Sequence, residues 1–146
     1  MTTKKQKYTN YLPIETDETI VKESIKESHL ERRFRQLWQV LAADMPLEPQ
    51  KKHIVPGRRY VYDFFCPSAN ILIECNGGEY MKGKSGHSSA AGIQRDADKC
   101  NQGQMQGYDV FLLNSCHLTI EYVGQLTRYA RNKRDSLTAT KESSSS

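Results

Sequence analysis

The sequence predicts an α/β domain in which helices pack against a mixed sheet. Residues 60–65 and 70–76 are rich in aromatic and β-branched residues and flank a turn-forming Pro-Ser-Ala-Asn segment, the pattern of a β-hairpin. A third apolar run, residues 108–113, follows a polar helical segment and is expected to be a buried strand. It would return parallel to the second hairpin strand through a right-handed crossover. The predicted order is therefore helix, strand, strand, strand, helix, strand, helix.

The helices are predicted from capping residues and from the spacing of apolar residues. Ser28 and Glu31 match a capping box, and apolar residues at helical spacing continue the first helix to near residue 43. Residues 93–106 form a polar helix that ends before a glycine. Residues 119 to about 133 form an amphipathic helix.

At 146 residues, the chain corresponds to one domain with polar ends. We expect a polar N-terminal extension over 1–27, a folded domain over 28–133 and a low-complexity, disordered tail over 134–146. Residues 51–56 indicate a short strand or an extended link. The glycine-rich and serine-rich residues 77–92 exceed the usual length of a connection, which is typical of functional or disordered loops.

Composition narrows the class of protein. No run approaches the roughly 18 apolar residues that a membrane helix needs, and the polar first residues do not form a secretory signal, so we expect a cytoplasmic protein that does not enter a membrane. Four cysteines without zinc-like spacing are expected to be reduced, buried thiols. The net charge of +4 is mild, but clusters of Lys and Arg flank the predicted hairpin and suggest a polyanionic partner.

The hairpin carries two acidic residues at opposed positions. A four-residue loop would pair Cys66 with Ile71, and hence Asp63 with Glu74. Side chains at opposed positions lie on the same face with β-carbons about 4.5–5.5 Å apart, so two like charges there need compensation. A hard divalent cation with oxygen ligands would supply it. The alternative is two acids facing solvent, which fits poorly with their apolar neighbours.

The order of these motifs resembles the PD-(D/E)XK nucleases, most closely the small endonucleases related to very-short-patch-repair enzymes of bacteria and bacteriophages. The similarity spans residues 28 to 132. It rests on ordered short motifs: Asp63-Phe64, an apolar strand ending in Glu74, Gly77-Gly78, Gly86-His87, Arg95-Asp96 and Gly107-Tyr108-Asp109-Val110. The resemblance implies a restriction-endonuclease-like mixed sheet core flanked by helices.

The resemblance also implies a metal site. Asp63 and Glu74 would bind Mg²⁺ or Mn²⁺, with the backbone carbonyl of Cys75 as a further ligand. Glu31 on the first helix would reach the same site, although a capping box alone also explains it. The position of the motif's lysine is Asn76, which carries no charge and cannot act as a base.

Several other residues near the predicted site have two interpretations, one as part of the site and one as an ordinary structural or surface residue. His87 could act as a general base or contact phosphate, or could be a surface histidine. Lys99 could supply the ammonium group that Asn76 lacks, or could be a helical surface lysine. Asp96, near a helix start, is explained by the helix dipole. Three basic residues are candidates for contact with phosphate: Lys82, Lys84 and Arg95.

The sequence therefore predicts a metal-dependent DNA endonuclease of a bacterial or phage-infected cytoplasm. Both a homodimer that cuts two strands and a monomer that nicks one are compatible with its size. One alternative is a catalytically degenerate protein that kept the fold and binds nucleic acid without cutting it, for which Asn76 is the main evidence. Another is a small protein-interaction module with an incidental acidic pair.

Overall fold

A computed structural model describes residues 27–76 and 90–144. This part of the chain is α/β, with a four-stranded, open, mixed sheet and three helices. In chain order the elements are α1 (His29–Leu41), β1 (Glu48–Lys51), β2 (Tyr62–Cys66), β3 (Ile71–Cys75), α2 (Ala90–Met105), β4 (Asp109–Leu113), a 3-10 helix (Ser115–His117) and α3 (Ile120–Ser144). The predicted order of three helices and four strands is confirmed. The predicted N-terminal extension up to residue 26, and residues 77–89 of the predicted loop, lie outside the described residues.

The sheet has the strand order β1-β2-β3-β4. β1 and β2 pair antiparallel, as do β2 and β3, whereas β3 and β4 pair parallel, as predicted. The predicted hairpin register is confirmed where Cys66 pairs with Ile71 and Phe64 with Ile73. Asn70 closes the turn in a left-handed conformation (φ 54°), which asparagine tolerates better than most residues.

Two strands differ from the sequence predictions. The first strand covers Glu48–Lys51, so it overlaps only at Lys51 with the segment 51–56 in which a short strand or an extended link was expected. The last strand, predicted to be buried, is half-exposed, and Leu112 within it retains 47 % of its accessible surface. β4 lies at the end of the described strand order, so one of its edges has no neighbouring described strand to cover it.

The C-terminal helix is longer than predicted. It was expected to end near residue 133, with a disordered tail beyond, but α3 continues to Ser144. The low-complexity stretch contains leucine, alanine, lysine and glutamate, which favour helix. Their helix propensities outweigh the tendency of a serine-rich, polar segment to be disordered. Arg134 anchors this part to the loop after α1, since its Nη1 donates to Asp44 Oδ2 at 2.7 Å.

The core lies on both faces of the sheet. One face carries the larger cluster, which joins α1 and α3 to the strands; its largest fully buried members include Phe34, Met45, Ile71, Ile73 and Leu113. Burying each such side chain contributes about 1.5–3 kcal/mol. The other face carries a smaller cluster: Ile54, Val55, Tyr62, Phe65 and Leu72. Trp38 of α1 is buried, and its indole Nε1 donates to the carbonyl of Met45 at 2.7 Å.

α2 approaches the second face closely at Gly103. A Cβ at this position would lie 2.9 Å from both the hydroxyl oxygen of Tyr62 and Cγ2 of Val110. Only glycine therefore allows the helix to sit at this distance from the sheet. The close approach brings the middle of α2 beside β2, where the candidate site is located.

Two arginines tie α1 to the C-terminal third of the chain. Arg33 Nε donates to the carbonyl of Leu118 at 3.0 Å. Arg131 Nη2 donates to the carbonyl of Leu41 at 2.6 Å. The last turn of α1 contains no basic residue of its own, so Arg131 supplies the donor and positive charge that the carbonyl end of a helix favours.

Composition led to two expectations, one about membrane helices and one about the cysteines. Among residues 27–76 and 90–144, no helix combines the length and the apolar character needed to cross a membrane. All four cysteines are free thiols, and Cys66 is buried as expected. Cys116 is exposed, which corrects the expectation that all four are buried; it lies in the short 3-10 helix at the surface.

Candidate active site

The hairpin opens at the position of the two opposed acids. Instead of a regular backbone ladder, the backbone N–H of Asp63 donates to Glu74 Oε1, and the N–H of Cys75 donates to Asp63 Oδ2, both at 2.8 Å. β3 continues along β4 past this point, because the N–H of Asn76 donates to the carbonyl of Leu113 at 2.8 Å. The carboxylates thus take the place of carbonyl acceptors where β2 leaves β3.

Glu31 joins this pair from α1. Its carboxylate closes the predicted capping box: the N–H of Ser28 donates to Glu31 Oε2 at 2.5 Å, and the N–H of Glu31 donates to Ser28 Oγ at 3.2 Å. The same side chain is only 7 % exposed, and its carboxyl group interacts with that of Asp63. The predicted capping box is confirmed, and the same side chain lies beside the acidic pair, where its functional role stays a prediction.

The protonation equilibria of the cluster are strongly perturbed. Burial, then the charge of Glu74 and the interaction with the Glu31 carboxyl group, raise the pKa of Asp63 to about 8. Burial also raises the pKa of Glu74, although the neighbouring Lys99 opposes the rise. Burial and the adjacent Asp63 raise the pKa of the Cys75 thiol, so this group stays protonated. The surroundings of Asp63 and Glu74 therefore disfavour full ionisation of both carboxyl groups, because burial and neighbouring negative charge oppose it.

Lys99 on α2 contributes the positive charge of the site. Its Nζ lies 2.8 Å from Glu74 Oε2, and both side chains are largely shielded, with 17 % and 16 % of their surface exposed. The ammonium also donates to the carbonyl of Val61 and lies 5.0 Å from the centre of the Tyr62 ring. The Tyr62 hydroxyl donates to the carbonyl of Lys99 at 2.7 Å, which fixes this turn of α2. Lys99 is therefore not a solvated surface lysine.

Asn76, at the position of the motif's lysine, contacts α2. Its Nδ2 donates to Asp96 Oδ2 at 3.1 Å. The sequence explanation of Asp96 through the helix dipole is wrong, because α2 begins at Ala90 and the dipole acts mainly within the first turn. Asp96 and Lys99, three residues apart on one face of α2, instead reach Asn76 and Glu74 on β3.

The remaining predicted residues divide into two groups. Arg95 is exposed on α2 beside Asp96. Lys82, Lys84 and His87 lie outside the described residues. Gln50 of β1 was not predicted to reach the site, but its Nε2 donates to Glu31 Oε1 at 3.3 Å. Gln50 is a single polar residue in an exposed strand, and nothing in the neighbouring sequence indicates that its side chain would contact Glu31.

The donor set suits a hard cation, although it is not arranged as a finished metal site. Among residues 27–76 and 90–144, no group of three or more His, Cys, Asp or Glu side chains is placed to hold a metal ion. Asp63 and Glu74 offer carboxylate oxygens, and Cys75 offers a backbone carbonyl. Oxygen donors of these kinds are the ligands that Mg²⁺ and related ions use.

Comparison with known proteins adds no assignment. The sequence matches no protein-family model, and no curated protein is significantly similar to it. The described residues bring together one cluster of three carboxyl groups and one ammonium group from four separate elements. Glu31 is buried, and the other three residues are half-buried.

Proposed function

We propose that the protein is a metal-dependent DNA endonuclease that hydrolyses phosphodiester bonds on a restriction-endonuclease-like core. The observation that carries the proposal is the convergence of Glu31, Asp63, Glu74 and Lys99, one residue each from α1, β2, β3 and α2. Separate elements rarely bury three acids together without a chemical use, because their mutual repulsion and desolvation destabilise the fold.

The cluster fits Mg²⁺ or Mn²⁺ as a cofactor. Asp63 and Glu74, with the carbonyl of Cys75, would hold the ion. A divalent cation would compensate the negative charge that raises the pKa of Asp63. When bound, the ion would polarise the scissile phosphate and lower the pKa of a water molecule. Glu31, held by its capping hydrogen bonds, would keep Asp63 oriented.

Lys99 supports catalysis in place of the missing motif lysine. Its ammonium group is fixed beside Glu74, whereas the amide of Asn76 is neutral and donates to Asp96. A positive charge held at this point would stabilise the negative charge that develops on the phosphate during attack by water. His87 as the base, and Lys82, Lys84 and Arg95 as phosphate contacts, complete the proposal as predictions from the sequence.

The test is plasmid cleavage with matched acid variants. Purified protein is incubated with supercoiled plasmid in Mn²⁺, Mg²⁺ or EDTA, beside Asp63→Ala and Glu74→Ala. Asp98→Ala is the control, because Asp98 is an exposed acid on α2, the helix that carries Lys99. Among the described contacts, its side chain accepts only from Gln94. We expect metal-dependent nicking that Asp98→Ala retains and the other two lose. Cleavage that survives in both Asp63→Ala and Glu74→Ala would refute the proposed site.

A second candidate, binding of nucleic acid without cleavage, is favoured by one observation. Within the described residues, every buried side-chain N or O atom has a hydrogen-bond partner, and Lys99 already neutralises Glu74. A degenerate site would be expected to be satisfied in this way without a cation. Such a protein would retain DNA in EDTA and cut no plasmid, flap, junction or single strand. Asp63→Asn would then leave its affinity for DNA unchanged or raise it.

A further inference from the structure

Gln50 has an unusual backbone conformation for a strand residue. Its φ of 53° lies in the left-handed region, which residues other than glycine and asparagine seldom adopt. The residues on either side of it pair with Phe64 and Tyr62, so Gln50 is opposite Asp63 in the sheet register. A strained conformation inside a sheet persists only where the surroundings enforce it.

The side chain of Gln50 ends at Glu31. Its Nε2 donates to Glu31 Oε1 at 3.3 Å, and the N–H of Ser28 donates to the other oxygen, Oε2. Both oxygens of this buried carboxylate are therefore held, one by the helix cap and one by β1. Gln50 itself is exposed, so burial of its side chain does not explain why the strain is kept.

We propose that Gln50 is a positioning residue of the candidate nuclease site, which orients the Glu31 carboxylate towards Asp63 through its left-handed backbone. The inference rests on the proposed function. The Glu31 carboxyl group interacts with that of Asp63, so its orientation bears on a predicted metal ligand. Groups that orient metal ligands in this way commonly change metal affinity or activity about 10- to 100-fold when they are removed.

The test uses variants that relieve the strain and remove the contact. In Gln50→Asn the backbone conformation is tolerated but the shorter side chain withdraws from Glu31, and Gln50→Gly removes the side chain altogether. We expect Tm to stay unchanged or to rise by about 2–4 °C. We expect the affinity for Mn²⁺, measured by calorimetry, and the rate of plasmid nicking to fall about 10- to 100-fold.

His53 provides a matched control on the same stretch of chain. It has the same left-handed backbone (φ 63°) and is exposed, but it is not paired with β2. His53→Asn should give the same small rise in Tm and leave Mn²⁺ affinity and nicking unchanged. A residue with a merely structural role would not combine a preserved Tm with a weakened metal site.

Three results would overturn the inference, and they are distinguishable. If wild type nicks plasmid and both Gln50 variants bind Mn²⁺ and cut equally well, Gln50 does not position the site, and the proposed function stands. If the Gln50 variants lose Tm together with Mn²⁺ affinity, the role of Gln50 is structural. If wild type neither binds Mn²⁺ nor cuts any DNA substrate, the proposed function and this inference fail together.

Discussion

Replacing Asp63 by asparagine should stabilise the metal-free protein while it removes the proposed activity. The asparagine carbonyl can still accept from the N–H of Cys75, and its amide can donate to the Glu31 carboxylate. The substitution removes the buried charge that faces Glu74. Side chains placed for function commonly lower stability in this way, so their neutral analogues are more stable.

The magnitude follows from the pKa of Asp63. Its rise from 3.8 to about 8 means that the folded protein keeps a proton between about pH 4 and 8 that the unfolded chain has already lost. Stability is therefore fully present below pH 4 and is lost as the pH rises towards 8. At 1.36 kcal/mol per unit, the upper limit of the loss is about 5–6 kcal/mol. Water that reaches the open end of the hairpin reduces it, and we expect about 2–4 kcal/mol.

Urea unfolding in EDTA at pH 5 and pH 8.5 measures this difference. About a quarter of the loss already lies below pH 5, so wild type should lose about 1.5–3 kcal/mol between the two conditions. Asp63→Asn should lose clearly less, so the variant is the more stable protein at pH 8.5. Asp98→Asn, which changes an exposed acid, should follow wild type. A variant less stable than wild type at pH 8.5, or a wild type more stable there than at pH 5, would refute the reasoning.

Three further perturbations test the packing and the charge of the site. Lys99→Met should lower the free energy of unfolding by about 1–3 kcal/mol at pH 8, because it leaves the shielded carboxylate of Glu74 unpaired. The same variant should lose Mn²⁺-dependent nicking. Adding Asn76→Lys to it should restore nicking. Gly103→Ala should cost about 1–3 kcal/mol in urea unfolding, since the new methyl group would overlap Tyr62. Ser28→Ala should cost about 1 kcal/mol through loss of the helix cap, measured in the same way.

The same experiments have internal controls. Gly124→Ala places a methyl group 3.9 Å from Arg128, an ordinary contact, so it should be neutral or stabilising where Gly103→Ala is not. Asn76→Lys alone should leave stability nearly unchanged, because the new ammonium can pair with Asp96 in place of the amide. If Asn76→Lys fails to rescue Lys99→Met while that double variant remains folded, Lys99 does not serve as the missing lysine.

Features determined by neighbouring residues could be predicted from the sequence. The capping box at Ser28 and the hairpin register at Cys66 and Ile71 are both confirmed, since each depends on residues only a few positions apart. The parallel pairing of β4 followed from the general rule for a strand, helix and strand in sequence. Local chemistry is thus enough to bring Asp63 and Glu74 together.

Features that depend on distant parts of the chain could not be predicted. The contact between Asn76 and Asp96 requires the distance between α2 and β3, which the close packing at Gly103 sets. The contact of Gln50 with Glu31 requires a left-handed backbone that the residue type does not favour. The start of α2 was placed three residues late, and this error gave Asp96 the wrong explanation.

The arginine at the end of α1 has a consequence for how the site forms. Arg131 donates to the carbonyl of Leu41 across 90 positions of sequence, so this carbonyl of the helix that carries Glu31 gains its donor only after the last helix has docked. Contacts of such long sequence separation form late, because the entropy of closing the loop opposes them until the rest of the chain is ordered. All the described acids and the lysine of the site precede Arg131 in the chain. During synthesis on a ribosome, all of these site residues would therefore be added to the chain before Arg131. We expect the cluster to acquire its final geometry at the end of folding, after α3 has docked on α1.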